Sequence, residues 1–355
     1  MANLRDIKKR ISSVNSTKQI AHTMEMVSTA KIRRALEAAY ASEPYKNAIQ
    51  LTLIYLAEAS KPSSRELKRR DKKERKARRK MEKVLAAAEK KGRNTEQVAK
   101  KHKEKHEKRM GESQHMQYIF LQSHDSLKHA ILVVIASDRG LAGGFNISTE
   151  RAAQAYKEEL EEKGVEVSLI TCGKKPTEYF QAQGANILTS YTGNSADPTV
   201  YIAEEMAALL VGKFLHETVD EIVLFYHHAK SRVEQVPVQE QLLPLDPDVF
   251  INTPSSDYKE DLRKHYGELE FEYEPSAEEI LMFLIPSYVR SVIYHALLDS
   301  AAAEHGARRR AMSSAVDNAT EIITSLNRSY NRIRQSTITT ELSEIVGGAA
   351  ALEDR

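Results

Sequence analysis

The feature that most constrains this chain is a glycine-free stretch at its N-terminus. Residues 2–59 contain no Gly, and Pro44 is their only Pro. Apolar residues recur there at steps of three and four, the spacing of one helix face. They form three groups: Leu4, Ile7, Ile11 and Val14; Ile20, Met24 and Val27; Ile49, Leu53 and Leu56. The pattern predicts a helix about 80 Å long at ~1.5 Å per residue, with a register shift near Lys18 and a kink or break at Pro44.

The C-terminal end repeats this design. Ser276 and Glu279 follow Pro275 with the spacing of a capping box, and helical periodicity then continues to Ile345, with Pro286 expected to bend the first turns. An apolar seam steps 4-3-4-3-4-3 through Met312, Val316, Ala319, Ile323, Leu326, Tyr330 and Ile333. Neither helix can bury its stripe alone, so we expect residues 1–59 to pack beside 277–350 as a two-helix coiled coil.

The residues between the two helices have a different sequence pattern. Strand-like runs alternate with helical ones, which indicates right-handed crossovers and a mostly parallel sheet. The predicted strands are Ala130–Ser137, Val165–Thr171, Asn186–Ser190 and Glu221–Tyr226, the helices are 148–162, 174–183 and 198–217, and Val233–Leu243 is an added edge strand or hairpin. The predicted fold class is α+β: a long antiparallel coiled coil with an inserted Rossmann-like α/β domain.

This pattern divides the chain into five parts. They are an N-terminal helix (1–60), a basic insertion (61–115), an α/β foot domain (116–250), a connector (251–276) and a C-terminal helix (277–355).

The basic insertion matches neither the pattern of the long helices nor that of the α/β domain. The net charge of the chain is only +2, but Lys61–Arg109 holds 22 Lys or Arg against 8 Asp or Glu. A solvated charged helix is the favoured interpretation. Contact with a membrane surface or another anionic partner comes second, and nucleic acid third because aromatic residues are not interleaved. His102 and His106 have helical spacing, but no thiol or carboxylate completes a metal site there.

The composition limits the cellular compartments in which this protein is expected. Cys172 is the single cysteine, so a disulfide within the chain is excluded. The first ten residues lack an apolar leader, and apolar runs such as Ala130–Ala136 are too short to span a bilayer. We expect a soluble or peripheral protein.

A glycine-rich loop follows the first predicted strand, with Asp138, Arg139, Gly140, Gly143 and Gly144 as its characteristic residues. Such loops can hold a pyrophosphate at a helix start. The spacing GxxGG is not the dinucleotide fingerprint and no Walker lysine follows, so a tight turn contacting a neighbouring element is favoured. No catalytic set, cofactor site or metal site is predicted.

The last helix ends unusually. A turn of charged and hydroxyl residues around Gln335 gives way to a small apolar end with two glycines, Gly347 and Gly348. A buried core helix would leave the polar groups unexplained. The end of an axle inside a sleeve would need only a few polar contacts and then a smooth surface.

Five spaced blocks resemble the gamma subunit of F-type ATP synthases. They are Leu4–Ile11, Met24–Lys31, the loop Ser137–Asn146, Tyr273–Ser276 and the C-terminal signature Ile338–Ala351. In the signature the matching positions are Ile338, Glu344, Ile345, Gly348 and Ala349. The order Thr17-Lys18-Gln19-Ile20 and the 61–115 insertion depart from the common pattern, and the plant-type regulatory cysteine pair is missing.

The resemblance implies a rotary shaft rather than an enzyme. It implies contacts of Gln335, Thr339 and Glu341 with a loop of the catalytic beta subunits, with Arg308 joining the same contact and Met24 at the N-terminal side of it. The implied partners are the alpha and beta subunits, the epsilon subunit and the c-ring, one copy of the chain per complex, peripheral on the cytoplasmic side of a bacterial membrane. The 61–115 segment is then expected near anionic headgroups or an acidic stator surface.

Two other classes of protein remain as alternatives. One is a coiled-coil scaffold that binds nucleic acid through the basic run, and the other is an enzyme that binds nucleotide within 130–250.

Overall fold

The computed structural model describes residues 4–59, 120, 127–216, 218–245, 274 and 277–353. Two long helices begin and end it: α1 (Leu4–Ala59) and α5 (Ala277–Glu353). Between them lie β1 (His129–Ile135), α2 (Phe145–Glu162), β2 (Glu166–Cys172), α3 (Lys174–Ala182), β3 (Ile187–Tyr191), α4 (Val200–Leu215), β4 (Glu221–His228) and β5 (Val236–Leu243). The predictions for 61–115, with His102 and His106, and for the connector lie outside the described residues, apart from Glu274.

The two long helices, here called the shaft helices, run antiparallel and in contact. Ser42 on α1 is hydrogen-bonded to His295 on α5, with 2.9 Å between Oγ and Nδ1. Nearer the start of α1, Ile32 packs against the backbone of Gly306, so closely that a Cβ added there would lie 3.2 Å from Ile32 Cδ1. As residue numbers fall along α1, their partners on α5 rise. The expected pairing of the two chain ends is therefore present.

The buried stripe of α1 corrects the predicted register. Residues that are buried or half-buried follow 3-4 spacing without interruption from Leu4 to Leu56, and Lys18, Glu25 and Ser28 occupy positions in that stripe. The expected shift near Lys18 is wrong, because apolar letters alone misplace the face. Ile20 is 62% exposed and Val27 51% exposed on the outer side of the helix. Long polar side chains can line such a seam by covering it with their aliphatic stems.

Proline does not divide either shaft helix. α1 continues through Pro44 and α5 through Pro286, so the predicted possibility of a break at Pro44 is wrong. A proline inside a helix removes one hydrogen bond and costs about 3 kcal/mol. Buried residues on both sides, Ala39 before Pro44 and Ile49 after it, show that packing continues through the position and offsets that cost.

The five-stranded sheet has the order β3-β2-β1-β4-β5. β1 pairs in parallel with β2 and with β4, and β2 pairs in parallel with β3. β5 pairs antiparallel with β4 at one edge, which confirms the added edge strand. The predicted alternation of strands and helices agrees with the observed elements to within a few residues.

Helices cover both faces of this foot domain, the name used below for residues 129–245. Leu132, Leu169 and Phe180 belong to the core between the sheet and α2 with α3. On the other face, α4 and the first half of α5 pack against Ile131 and Val133, and the end of α1 joins them through Leu53. The foot domain and the shaft therefore share one hydrophobic core.

The shared core accounts for the apolar character of α5. One 18-residue window within Glu279–Val346 has a mean hydropathy of 1.5, which satisfies a composition test for a membrane span. In the fold 59% of that window is buried inside the molecule. The core helix of a folded domain satisfies the same test.

Candidate functional site

The glycine-rich loop after β1 is built around Asp138. Its carboxylate accepts hydrogen bonds from the backbone amides of Lys174 (3.0 Å), Gly193 (2.8 Å) and Ser195 (3.0 Å). These amides follow β2 and β3, so one side chain joins the carboxyl ends of three parallel strands. Burial raises the pKa of Asp138, but the hydrogen bonds from Gly193, Ser195 and Lys174 outweigh it and leave the pKa below its ordinary value.

The rest of the loop lies against α5. Arg308 Nη2 donates to the carbonyl oxygens of Arg139 and Gly140, at 3.4 Å each. Gly143 has φ +60°, and a Cβ there would lie 4.0 Å from that of Ala311. The loop is thus a tight turn in contact with a neighbouring helix, the interpretation that the sequence favoured.

Arg308 is buried rather than presented to solvent. Its side chain is 9% exposed and pairs with Glu304, 3% exposed, at 2.7 Å. Burial raises the pKa of Glu304, and the nearby Arg308 only partly opposes this. Among the described residues, Arg308 holds the glycine-rich loop against α5 through its bonds to Arg139 and Gly140.

Alanine packing and one carboxylate complete this junction, defined here as loop 137–144 and Ala229 against residues 299–311 of α5. Ala302, Ala303 and Ala307 pack against Ala136 and Ala142. Asp299 accepts a hydrogen bond from the amide of Ala229 (2.8 Å) and lies 2.5 Å from Nδ1 of His228.

The junction decides against the nucleotide hypothesis for this loop. Open parallel sheets bind ligands beyond the carboxyl ends of their strands. Here that space, beside β1 and β4, is filled by α5, and Asp299 supplies the anion that the amide of Ala229 binds. The described residues hold no group of three His, Cys, Asp or Glu side chains suited to a metal ion.

The second predicted region is the upper end of α5, called the tip and defined as residues 334–346. Every residue of the tip is exposed. Ser42 pairs with His295, so the same antiparallel register places Leu4, where α1 begins, beside Ile333. The residues of α5 after Ile333 therefore extend beyond the described part of α1 as a single helix. Gln335, Thr339 and Glu341 all belong to this exposed surface.

The tip carries apolar side chains beside the polar ones. Ile338 is 47% exposed, Leu342 57% and Ile345 68%. The hydroxyl of Thr339 donates to the carbonyl oxygen of Gln335 at 2.9 Å. Gly348 and Ala349 follow in the same helix, and Glu344 is exposed.

The structure separates two groups that the resemblance joined. Arg308 and Gln335 are 27 residues apart on one helix, about 40 Å at ~1.5 Å per residue. Met24 lies level with Ser313 by the same register, one to two turns from Arg308 and about 30 Å below Gln335. Arg308 and Gln335 therefore lie at different levels of the shaft, and their joint contact with a beta-subunit loop stays a prediction.

Sequence reasoning missed the residues that join the foot domain to the shaft. Asp299, Glu304 and His295 are buried on α5, and His228 was noticed only as part of a histidine pair at a strand end. The available signal was the occurrence of ionisable residues within an Ala- and Leu-rich stretch, since such groups are seldom buried without partners.

The fold and its junction define a class of protein: a long helical shaft firmly joined to a small α/β domain, with an exposed helical tip. Comparison with known proteins agrees. A family model described as ATP synthase matches residues 3–79 and 71–352. An ATP synthase gamma chain from Anaeromyxobacter dehalogenans (strain 2CP-1) is 38% identical over 353 residues, covering 99% of this chain and 100% of that one. One from Anaeromyxobacter sp. (strain Fw109-5) is 36% identical with the same coverage. The chain belongs to the ATP synthase gamma chain family.

Solved structures share the fold. A rotor of the Euglena gracilis mitochondrial ATP synthase matches with a TM-score of 0.50 at 14% identity, covering 94% of this chain and 98% of that one. A chain of an OSCP/F1/c-ring structure of the same enzyme matches with a TM-score of 0.53 at 14% identity, covering 98% and 94%.

Proposed function

We propose that this chain is the central rotary shaft of a membrane-bound bacterial ATP synthase. It couples ion flow through the c-ring to ATP synthesis or hydrolysis at the alpha/beta hexamer. Family membership over the full length supports this role. The structural observation that carries it is the tip, where a single helix exposes polar and apolar side chains for which the described chain offers no cover.

In this proposal the shaft helices form an antiparallel two-helix coiled coil and the foot domain is Rossmann-like. The uninterrupted 3-4 stripe of α1 supports the first description. The sheet order and the parallel pairing of four strands support the second.

The tip would be the surface that contacts the alpha/beta hexamer. Gln335, Thr339 and Glu341 offer an amide, a hydroxyl and a carboxylate to one beta subunit at a time. Ile338 and Ile345 are exposed in the same stretch. The sequence continues with the small residues Gly348 and Ala349, which suit a helix end that turns inside a sleeve.

Asymmetry converts this contact into coupling. A single off-centre helix presents a different side to each of three identical sites, so each site is biased toward a different conformation. Turning the shaft exchanges the biases, and by linkage, nucleotide binding at the sites biases the position of the shaft. The chain contributes no catalytic residue and no cofactor to this mechanism.

Arg308 and Met24 would act lower on the shaft, at the level of the foot loop. Arg308 holds the carbonyls of Arg139 and Gly140, so its effect on the hexamer would be indirect. Met24 is half-buried beside the outward-facing Met26 and Val27. A charge introduced at Met24 would disturb both the helix pair and this outer apolar surface.

The foot domain would bind the epsilon subunit and the c-ring, with one copy of the chain per complex. This places the protein at the cytoplasmic face of the membrane as a peripheral subunit. Segment 61–115 follows the lower end of α1, and its positive charge suits anionic headgroups. The nucleic-acid alternative rests on that charge alone, whereas full-length similarity to gamma chains supports the rotor.

Reconstitution with alpha and beta subunits tests the proposal. The wild-type chain is expected to change the rate of ATP hydrolysis by the hexamer. Glu341→Lys should lower coupled turnover several-fold while thermal unfolding of the chain stays unchanged, because Glu341 is exposed. Glu321→Lys, an exposed position on the same helix below the tip, is the matched control. If the wild-type chain leaves the rate of ATP hydrolysis by the hexamer unchanged, the proposal that it is the rotor is wrong.

A further inference from the structure

Three elements meet at one polar cluster beside the junction. His228, at the end of β4, places Nδ1 2.5 Å from Oδ2 of Asp299 on α5. The other oxygen of Asp299 accepts the amide of Ala229 at 2.8 Å. The His228 side chain is 50% exposed, whereas that of Asp299 is 4% exposed. The foot domain is thus joined to the shaft through a carboxylate that, among the described residues, is paired with the titratable and solvent-accessible His228.

One turn earlier on α5, His295 extends the cluster to α1. Its Nδ1 lies 2.9 Å from Oγ of Ser42. The hydroxyl of Ser42 donates its single proton to the carbonyl of Ala39 at 2.7 Å, so Nδ1 of His295 is the donor in the His295–Ser42 bond. The imidazole is buried between the two shaft helices.

The charged groups around the two histidines come from every packed element. Glu43 and Lys46 face them from α1, and Asp299 from α5. On the sheet side, Tyr226 donates to Glu240 at 2.8 Å and lies within electrostatic reach of Asp299.

We infer that this cluster is a proton-sensitive clasp between the foot domain and the shaft, closed when His228 carries a proton and His295 does not. In the closed state the His228 imidazolium neutralises the buried Asp299 carboxylate. The neutral His295 meanwhile completes the packing between α1 and α5 without burying a second cation beside Lys46. The importance of the clasp for torque rests on the proposed function, whereas its existence does not.

The direction of the pH dependence follows from the environment of each histidine. The hydrogen bond to Asp299 raises the pKa of His228, so its stabilisation is complete below pH ~6.5 and is lost as the pH rises through the raised value. Burial lowers the pKa of His295 to about 4, so its contribution is complete above pH ~6.5 and is lost as the pH falls toward 4. The clasp is therefore tightest near neutral pH.

Hydrogen exchange in the full chain tests the clasp at the amide of Ala229. Protection factors of this amide, each taken against the exchange rate of the same sequence when unfolded, are compared between wild type and His228→Gln at the same pH, which removes the intrinsic effects of pH and of the neighbouring side chain. At pH 6.5 we expect about tenfold faster exchange in the variant, and at pH 9 a ratio near one. Asp299→Asn, which keeps an acceptor for the amide, should remove the pH dependence as well.

His129→Gln is the matched control. His129 pairs with Glu166 at 3.1 Å at the opposite end of the sheet, where both side chains are well exposed. It should leave exchange at Ala229 unchanged. The clasp is overturned if the ratio of Ala229 exchange rates between His228→Gln and wild type does not vary with pH. It is also overturned if His129→Gln changes exchange at Ala229 as much as His228→Gln does. If His228→Gln does not fold, wild-type protection of Ala229 must itself fall between pH 6.5 and 9, and constant protection is the contrary result.

The assembled complex then shows whether the clasp matters for coupling. In membrane vesicles, ATP-driven ion pumping per ATP hydrolysed should fall at alkaline pH for wild type and be lower at neutral pH for His228→Gln. A chain that does not assemble with alpha and beta subunits would refute the rotor, while the exchange result, measured on the chain alone, would stand.

Discussion

Single carboxylates organise the loops of the foot domain and its junction with the shaft. Asp138 accepts three backbone amides that belong to two different loops, and Asp299 accepts a fourth at the end of β4. Both carboxylates accept backbone amides at the carboxyl ends of the strands, so the glycine-rich turn and the residues around it hold the strands and α5 together.

Removal of Asp138 should destabilise the chain measurably. Asp138→Ala leaves three amides without their acceptor, which costs about 2 kcal/mol even if water replaces part of the interaction. Because the folded-state pKa is lowered, the stabilisation is present above pH ~4 and is lost as the pH falls through the lowered value. Urea unfolding at pH 7 and pH 3 measures both effects. Asp317→Ala, at an exposed position of α5, should be neutral at either pH.

Buried histidines predict acid sensitivity of the whole fold. Burial lowers the pKa of His227, His295 and His305 to about 4 in each case. Their stabilisation is complete above pH ~6.5 and is lost as the pH falls toward 4. Three such groups give a slope of roughly 4 kcal/mol per pH unit in the steepest part.

Replacement of one histidine checks that slope. His227→Gln keeps hydrogen-bonding capacity toward Ser148 and Thr149 and should reduce the slope by about a third. Urea unfolding between pH 4.5 and 6.5 measures it. An unchanged slope in the variant would show that His227 does not take up a proton during acid unfolding.

At the scale of elements, α5 performs two tasks along its length. Its first half is buried against the sheet, α4 and α1, and its last described side chains are exposed. Small residues mark the transition, since Ala302, Ala303 and Ala307 allow the helix to approach the ends of the strands closely. The close approach is what seats Arg308 over the loop.

Enlarging one of these alanines tests the importance of close approach. Ala303 is completely buried, so Ala303→Leu should destabilise the fold by about 1–3 kcal/mol through overpacking. The same change at Ala41, exposed on α1, should have little effect. Thermal unfolding of both variants gives the comparison, and equal transitions would mean that the junction has room to adapt.

Periodicity predicted the elements more reliably than their faces. Both long helices, the alternation of strands and helices and the edge strand were predicted because period and length are local properties. The face of α1 was misassigned between Lys18 and Ser28, because polar side chains take seam positions there and Ile20 does not. Which face is buried depends on the partner helix, and the sequence of α1 does not contain that partner.

At the scale of the molecule, one core joins domain and shaft. Ile49, Leu53 and Leu56 of α1 pack together with the sheet and with α5, so the foot domain has no separate core on that face. A force applied to the foot domain therefore reaches the shaft through packed side chains and the junction rather than through a flexible linker.

Deletion of residues 63–112 tests the proposed contact of the basic segment with anionic headgroups. We expect slower ATP synthesis in membrane vesicles made of anionic lipid, with less effect in neutral lipid, because the lost charge can act only on a negative surface. Unchanged rate and coupling in both would remove the segment from the mechanism.

By itself, the sequence determined the elements, their order and the family, since helical period, strand alternation and spaced motifs are written in consecutive residues. Tertiary structure alone decided that Arg308 is buried against the loop and that Asp299 with His228 closes the junction. The physical reason is that burial and pairing depend on which surfaces meet, and here those surfaces come from residues about 70 to 250 positions apart.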